Sequence, residues 1–219
     1  MRATARLMVA MSLVAGTAYP LLWDHLPDAA DIAVKAAGVG LLALAALSRA
    51  RDPDGWLLAA LLALGAIGDM LLEISLAAGA SAFAAAHVAA IALYRRNRRA
   101  GSDQKDLAVA FLILFAAVAV PGFLLYGRTE GGPFVAYALL LGAMAASAWL
   151  SRFPRALVAL GAILFLASDM LIAFRMASDA AGLGPPIWLL YYAGQLLIFL
   201  GVTSSLTPNP ARTEARLVR

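Results

Sequence analysis

The sequence predicts an all-α polytopic membrane helical bundle of about eight transmembrane helices, and three observations carry that prediction. Of 219 residues, 63% are hydrophobic and 14% charged, with a mean hydropathy of +0.84. A soluble domain has about 45–50% apolar residues and roughly twice that charge, so the excess must face lipid. The apolar residues gather in runs of roughly 18–20, long enough to cross hydrocarbon. The basic residues gather at alternate ends of those runs, as short membrane loops require.

The runs fall at about 6–23, 31–48, 56–74, 76–94, 107–126, 132–150, 155–174 and 187–206, bounded by charges or by Pro and Gly. In hydrocarbon each must satisfy its own backbone, so each is expected to be a helix. The abundant Ala and Gly let such helices approach closely. At about 20 residues per span there is no room for a second soluble domain. Residues 1–206 read as a single transmembrane domain and 207–219 as a short cytoplasmic tail. Residues 1–18 also fit a signal peptide, with Arg2 and Arg6 before an apolar stretch and Gly16 and Ala18 behind it.

Orientation follows from the loops. Arg2, Arg6, Arg49, Arg51, the cluster Arg95, Arg96, Arg98, Arg99 and Lys105, then Arg152, Arg155 and the tail arginines share one side. Only Arg128 and Arg175 oppose them, and the Trp23–Asp28 loop on that side is acidic. The positive-inside rule places both termini in the cytoplasm, and the chain reads as a multi-pass protein of a bacterial-type inner (plasma) membrane. The net charge of +4 is explained by topology, so no nucleic-acid partner is expected.

Gly68-Asp69-Met70-Leu71 in the third span echoes Ser168-Asp169-Met170-Leu171 in the seventh, 100 residues later. The seventh span is four places after the third, so both run the same way. Both aspartates lie 13 residues into their spans, about 20 Å from the basic side at 1.5 Å per residue. A parallel four-helix repeat explains the echo; chance sharing of tripeptides by Leu- and Met-rich helices explains it equally.

Ionisable groups inside spans are costly and point to function. They are Lys35, Asp69, Glu73, His87 and Asp169, with Tyr19, Tyr137, Tyr191, Tyr192 and Gln195 as polar helpers. All five can lie near the midplane or in the half of the bilayer away from the basic loops, which predicts one cavity opening there. Ordinary alternatives exist for most. Lys35 can snorkel and pair with Asp31 one turn away; Glu73 can be interfacial. His87, Tyr191 and Gln195 can be polar glue between helices. Two carboxyls at equal depth are harder to explain this way.

A pair of buried carboxyls that share a proton supplies an acid and a base in one place. Glu73, one turn after Asp69, can join them. No G-x-S-x-G element is present, and Ser168 lacks a second intramembrane histidine for a triad. Zero cysteines exclude thiolate ligands and disulfides. His25 and His87 are the only histidines, so a three-histidine zinc site cannot be built; no metal and no cofactor are expected.

The segment Ala63-Leu64-Gly65-Ala66-Ile67-Gly68-Asp69-Met70-Leu71-Leu72-Glu73 resembles a signature of the YhhN-like lysoplasmalogenase membrane family. Phe83-x-x-x-His87, Ser168-Asp169 and Tyr191-Tyr192-Ala193-Gly194-Gln195 follow in matching order, and Lys35 resembles a family lysine, though Ala36 stands where proline is expected. The resemblance covers about residues 30–202. It implies hydrolysis of the vinyl ether bond of a lysophospholipid, releasing a fatty aldehyde and a glycerophospho-head group. Carbon protonation and water addition need a carboxylic acid, a carboxylate and no cofactor. Asp69, Asp169 and Glu73 are the candidate catalytic residues; Lys35, His87, Tyr191, Tyr192 and Gln195 are the candidate substrate-binding residues. A proton-coupled transporter or a lipid-binding membrane protein using the same carboxylates is the competing class. Oligomeric state is not legible.

Overall fold

A computed structural model describes residues 3–22 and 25–206, apart from the Asp28 side chain. The expectations for Arg2, for Trp23 and Asp24, and for the tail 207–219 fall outside those residues.

Eight helices follow one another: α1 Ala3–Leu22, α2 Asp28–Leu47, α3 Pro53–Leu72, α4 Leu76–Arg96, α5 Gln104–Leu124, α6 Gly131–Trp149, α7 Leu160–Ser178 and α8 Gly184–Leu206. All eight are long and apolar enough to cross a membrane, and no strand occurs among the described residues. The predicted fold class is the observed one.

Local chemistry sets the ends. Asp52 accepts a hydrogen bond from the Gly55 amide at 2.7 Å with Pro53 at the first helical position. There the missing proline N–H costs nothing. Asp103 caps α5 through the Asp106 amide at 2.8 Å. α8 starts three residues before the expected 187, because Pro185 and Pro186 fit its first turn instead of blocking it. α3 stops at Leu72, with Glu73 as its capping residue. A π-helical turn, Arg155–Ala159, precedes α7 after Pro154.

Sequential antiparallel packing joins α1 to α2, α2 to α3, α3 to α4, α5 to α6 and α7 to α8, and α4 packs on α6 to close the bundle. The halves are not packed alike: α2 lies along α3, whereas its counterpart α6 touches α7 little. Small residues sit at the crossings. A Cβ at Gly161 of α7 would stand 2.6 Å from the Gly194 carbonyl of α8, and the reverse contact is also 2.6 Å. α5 exposes Phe111, Leu112, Phe115 and Phe123, a surface suited to hydrocarbon.

The end that carries Arg49, Arg51, Arg96 and Arg152 is bound by polar contacts. Asp54 accepts from Arg96 Nε and Asn97 Nδ2, both at 2.9 Å, and Asn97 Oδ1 accepts from Arg152 Nε at 2.7 Å. Arg155 reaches Asp106 at 2.5 Å and lies over the Trp149 ring. The basic loops thus tie α3, α4, α5 and the α6–α7 connection together.

Candidate active site

α3 and α7 carry the two aspartates into the bundle, where both are buried. Each takes a tyrosine hydroxyl, as a buried carboxyl must find a donor. Tyr191 of α8 donates to Asp69 Oδ2 at 2.9 Å, and Tyr137 of α6 donates to Asp169 Oδ2 at 2.7 Å. The helices can come this close because Gly65 lies under Tyr191 and Gln195. A Cβ there would stand 3.0 Å from Gln195 Nε2 and 3.2 Å from the Tyr191 hydroxyl.

Asp169 has a longer chain of partners. His87 Nε2 lies 3.1 Å from the Tyr137 hydroxyl. Tyr137 has one hydroxyl hydrogen and gives it to Asp169, so the neutral imidazole tautomer that completes the chain carries its proton on Nε2. His87, Tyr137 and Asp169 form a directed relay ending on a carboxylate oxygen.

Asp69 belongs to a second group. Lys35 is buried and forms an ion pair with Glu73, one turn beyond Asp69. The expected alternative, Lys35 with Asp31, does not form: Asp31 accepts from the Tyr19 hydroxyl at 2.9 Å. α2 and α3 pack side by side, which puts a lysine on one within reach of a glutamate on the other.

Rings separate the two groups. Tyr191 stands 5.0 Å from Phe165, which stands 5.1 Å from His87, and Phe83 packs edge-on to both Tyr191 and Phe165. Phe83 fits over Gly68, where a Cβ would be 2.8 Å from its ring. A cavity of about 400 Å³ lies on the Asp169 side, with Leu72, Phe83, Tyr137 and Met176 in its wall and Thr129 and Glu130 at its rim. It lies at the end of the bundle away from the basic loops, as expected. It is lined by Asp169 but not by Asp69, so the expectation of both aspartates in one cavity needs correction. The cause is Phe83, whose ring covers the α3 face beside Asp69.

Tyr192 is a second correction. Its hydroxyl pairs with Ser12 at 3.0 Å, and its ring fills the space over Gly16 and stacks on Trp188. It belongs to the contact of α1 with α8. Successive helical residues point about 100° apart, so Tyr191 turns to Asp69 while Tyr192 turns to Ser12. Gln195 is buried on the Asp69 side, with Oε1 unpartnered. Ser168 donates to the Ile187 carbonyl at 2.9 Å, which ties α7 to α8.

Tyr137 was legible only as a polar helper, yet it joins Asp169 to His87. Its depth was the available signal: it is the seventh residue of α6, counted from the end where the cavity opens. Among the described residues no three of His, Asp and Glu converge as metal ligands.

The YhhN family model matches residues 30–202. The chain belongs to the YhhN family. This YhhN protein is also 34% identical, over 183 residues, to proteins named lysoplasmalogenase from Mycobacterium bovis and Mycobacterium tuberculosis. The matches cover 77% of this chain and 69% of each relative. No solved structure matches it. The YhhN match spans α2 to α8 almost completely and contains Asp69, Asp169 and their tyrosines.

Proposed function

We propose that this YhhN protein hydrolyses the vinyl ether bond of lysoplasmalogens and that Asp169 is the group that meets that bond. The observation that carries the reading is a carboxyl in the wall of a largely apolar 400 Å³ cavity, held by a Tyr–His relay. An alkenyl chain fits such a wall, and a zwitterionic head fits its rim. Glu130 precedes Tyr137 by seven residues, about 10 Å along a helix axis. The cationic nitrogen of an ethanolamine or choline head lies nine bonds from the vinyl ether oxygen, also about 10 Å at ~3.5 Å per three bonds.

The chemistry then needs one carboxyl in two states. Protonated Asp169 gives its proton to the vinyl carbon remote from oxygen, which leaves an oxocarbenium ion and an aspartate. Tyr137 donates to that aspartate and stabilises it, with His87 behind. The aspartate takes a proton from water as the water adds to the cation, which regenerates the acid. The hemiacetal so formed breaks down to aldehyde and alcohol. A proton donor positioned in this way is typically worth about 10²–10⁴-fold. Asp69 sits one ring away, with Tyr191, Gln195 and the Lys35–Glu73 pair. It keeps the Tyr191–Phe165 wall in place and sets the charge behind it, and Lys35 neutralises one of the two carboxyls on that side.

The protein is multi-pass, with all eight helices apolar enough to span. The proposed placement has the basic loops in the cytoplasm and the cavity opening toward the outer leaflet of a bacterial inner membrane. Residues 1–206 form the single membrane domain in this reading. Purified protein in detergent, incubated with a panel of alkenyl, alkyl and acyl lysophospholipids, is expected to release aldehyde from the alkenyl members alone. Transport cannot occur in detergent, so aldehyde there excludes a pure carrier. Its absence from every substrate overturns the hydrolase.

A further inference from the structure

A second pocket, of about 380 Å³, lies at the opposite end of the bundle, among the basic loops. The end of α2, the turn after it, the first turn of α3 and the last turns of α8 form it. Arg49, Arg51 and Asp52 line it beside Thr203, and Leu58 and Leu206 supply an apolar wall. Nothing in the proposed hydrolysis uses it.

Among the described residues its lining has two arginines against one carboxylate. Asp52 is the one carboxylate in its wall, and Oδ1 of that group already accepts the Gly55 amide at the head of α3. Asp54, the next acid, is turned to Arg96 and Asn97. Arg51 gives one donor to the Ala50 carbonyl, out of the five a guanidinium carries. Two guanidiniums over an apolar wall, at the depth where span gives way to loop, match a phosphate with acyl chain beneath it. Arg presents paired N–H groups to phosphate oxygens, and basic pockets between spans on the cytoplasmic side suit anionic head groups.

We propose that this pocket binds the phosphodiester of an anionic phospholipid, separately from the site at Asp169. The shared chemistry is a phosphate anion, and a soluble phosphate is the other source to test. Native mass spectrometry and thermal melting of the detergent-purified full chain would be run with phosphatidylglycerol, phosphatidylcholine and inorganic phosphate. Phosphatidylglycerol is expected to stay bound and raise the melting temperature, and the other two are not. Arg49→Gln with Arg51→Gln should weaken that binding at least tenfold. Arg98→Gln with Arg99→Gln, at the same end but outside the pocket, should leave it within twofold. If the Gln pair fails to fold, Arg49→Lys with Arg51→Lys keeps the charge and loses the paired donors, and a severalfold weaker affinity is then expected. Unchanged phosphatidylglycerol binding in the foldable pair overturns the site. An equal shift with inorganic phosphate overturns the lipid as its source. Aldehyde release is a separate readout, so loss of either proposal leaves the other standing.

Discussion

Tyr137 decides how Asp169 behaves, because its one hydroxyl hydrogen is the donor on that carboxyl. Tyr137→Phe keeps the ring against His87 and Phe134 and removes only the relay. A hydrogen bond to a charged group is worth about 1.5–3 kcal/mol. If the aspartate forms in the transition state, turnover should fall roughly 10–100-fold at one decade per ~1.4 kcal/mol. Measured kcat is the check, and an unchanged value removes Tyr137 from the chemistry. Lys35 and Glu73 raise a different question at the same scale. Side-chain exposure is 11% for Lys35 and 37% for Glu73, so the pair lies between the exposed and buried limits. Either Lys35→Met or Glu73→Gln alone should destabilise by about 1–3 kcal/mol, and the double change by less than the two together. Chemical denaturation in mixed micelles reads this; strict additivity would mean the two groups do not interact.

At the scale of elements, the glycines at the crossings place the side chains of the candidate site. Gly161 and Gly194 let α7 and α8 touch, and those helices hold Asp169 and Tyr191. Gly161→Ala should force the pair apart and cost about 1–3 kcal/mol, read as a lower melting temperature in detergent. An unchanged melting curve would show that the crossing tolerates a methyl group. The elements themselves were legible from hydropathy, since a span has no alternative to helix in lipid. Their pairing was not. Whether α6 lies on α7 or on α4 depends on which small residues interlock, and apolar runs alike in composition do not encode that. The site was legible in the same uneven way. Asp69, Asp169 and His87 stand out as ionisable groups in apolar helices. The screening of Asp69 by Phe83 arises from a ring fitting over Gly68, a contact between helices invisible in one dimension. Tyr192 is not separable from Tyr191 in the sequence, because adjacent polar residues look alike there and differ by about 100° on the helix.

The whole molecule has two unlike ends. One is basic, cross-linked through Asp54, Asn97, Arg152 and Asp106; the other opens the cavity. The sequence has no cysteine, so single-cysteine variants give a clean topology map. Ala100→Cys, in the α4–α5 connection, should be shielded from an impermeant maleimide in intact cells, and Ala181→Cys, between α7 and α8, should react. The reverse pattern would invert the proposed orientation. Asp169 as the proton donor of a hydrolase is tested most directly by one measurement: aldehyde released from an alkenyl lysophospholipid by purified wild type and by Asp169→Asn. The substitution keeps shape and polarity and removes the transferable proton. Release by the wild type and a loss of about 10²–10⁴-fold in the folded variant are expected, with substrate affinity little changed. A folded Asp169→Asn protein that turns over at the wild-type rate would contradict Asp169 as the proton donor.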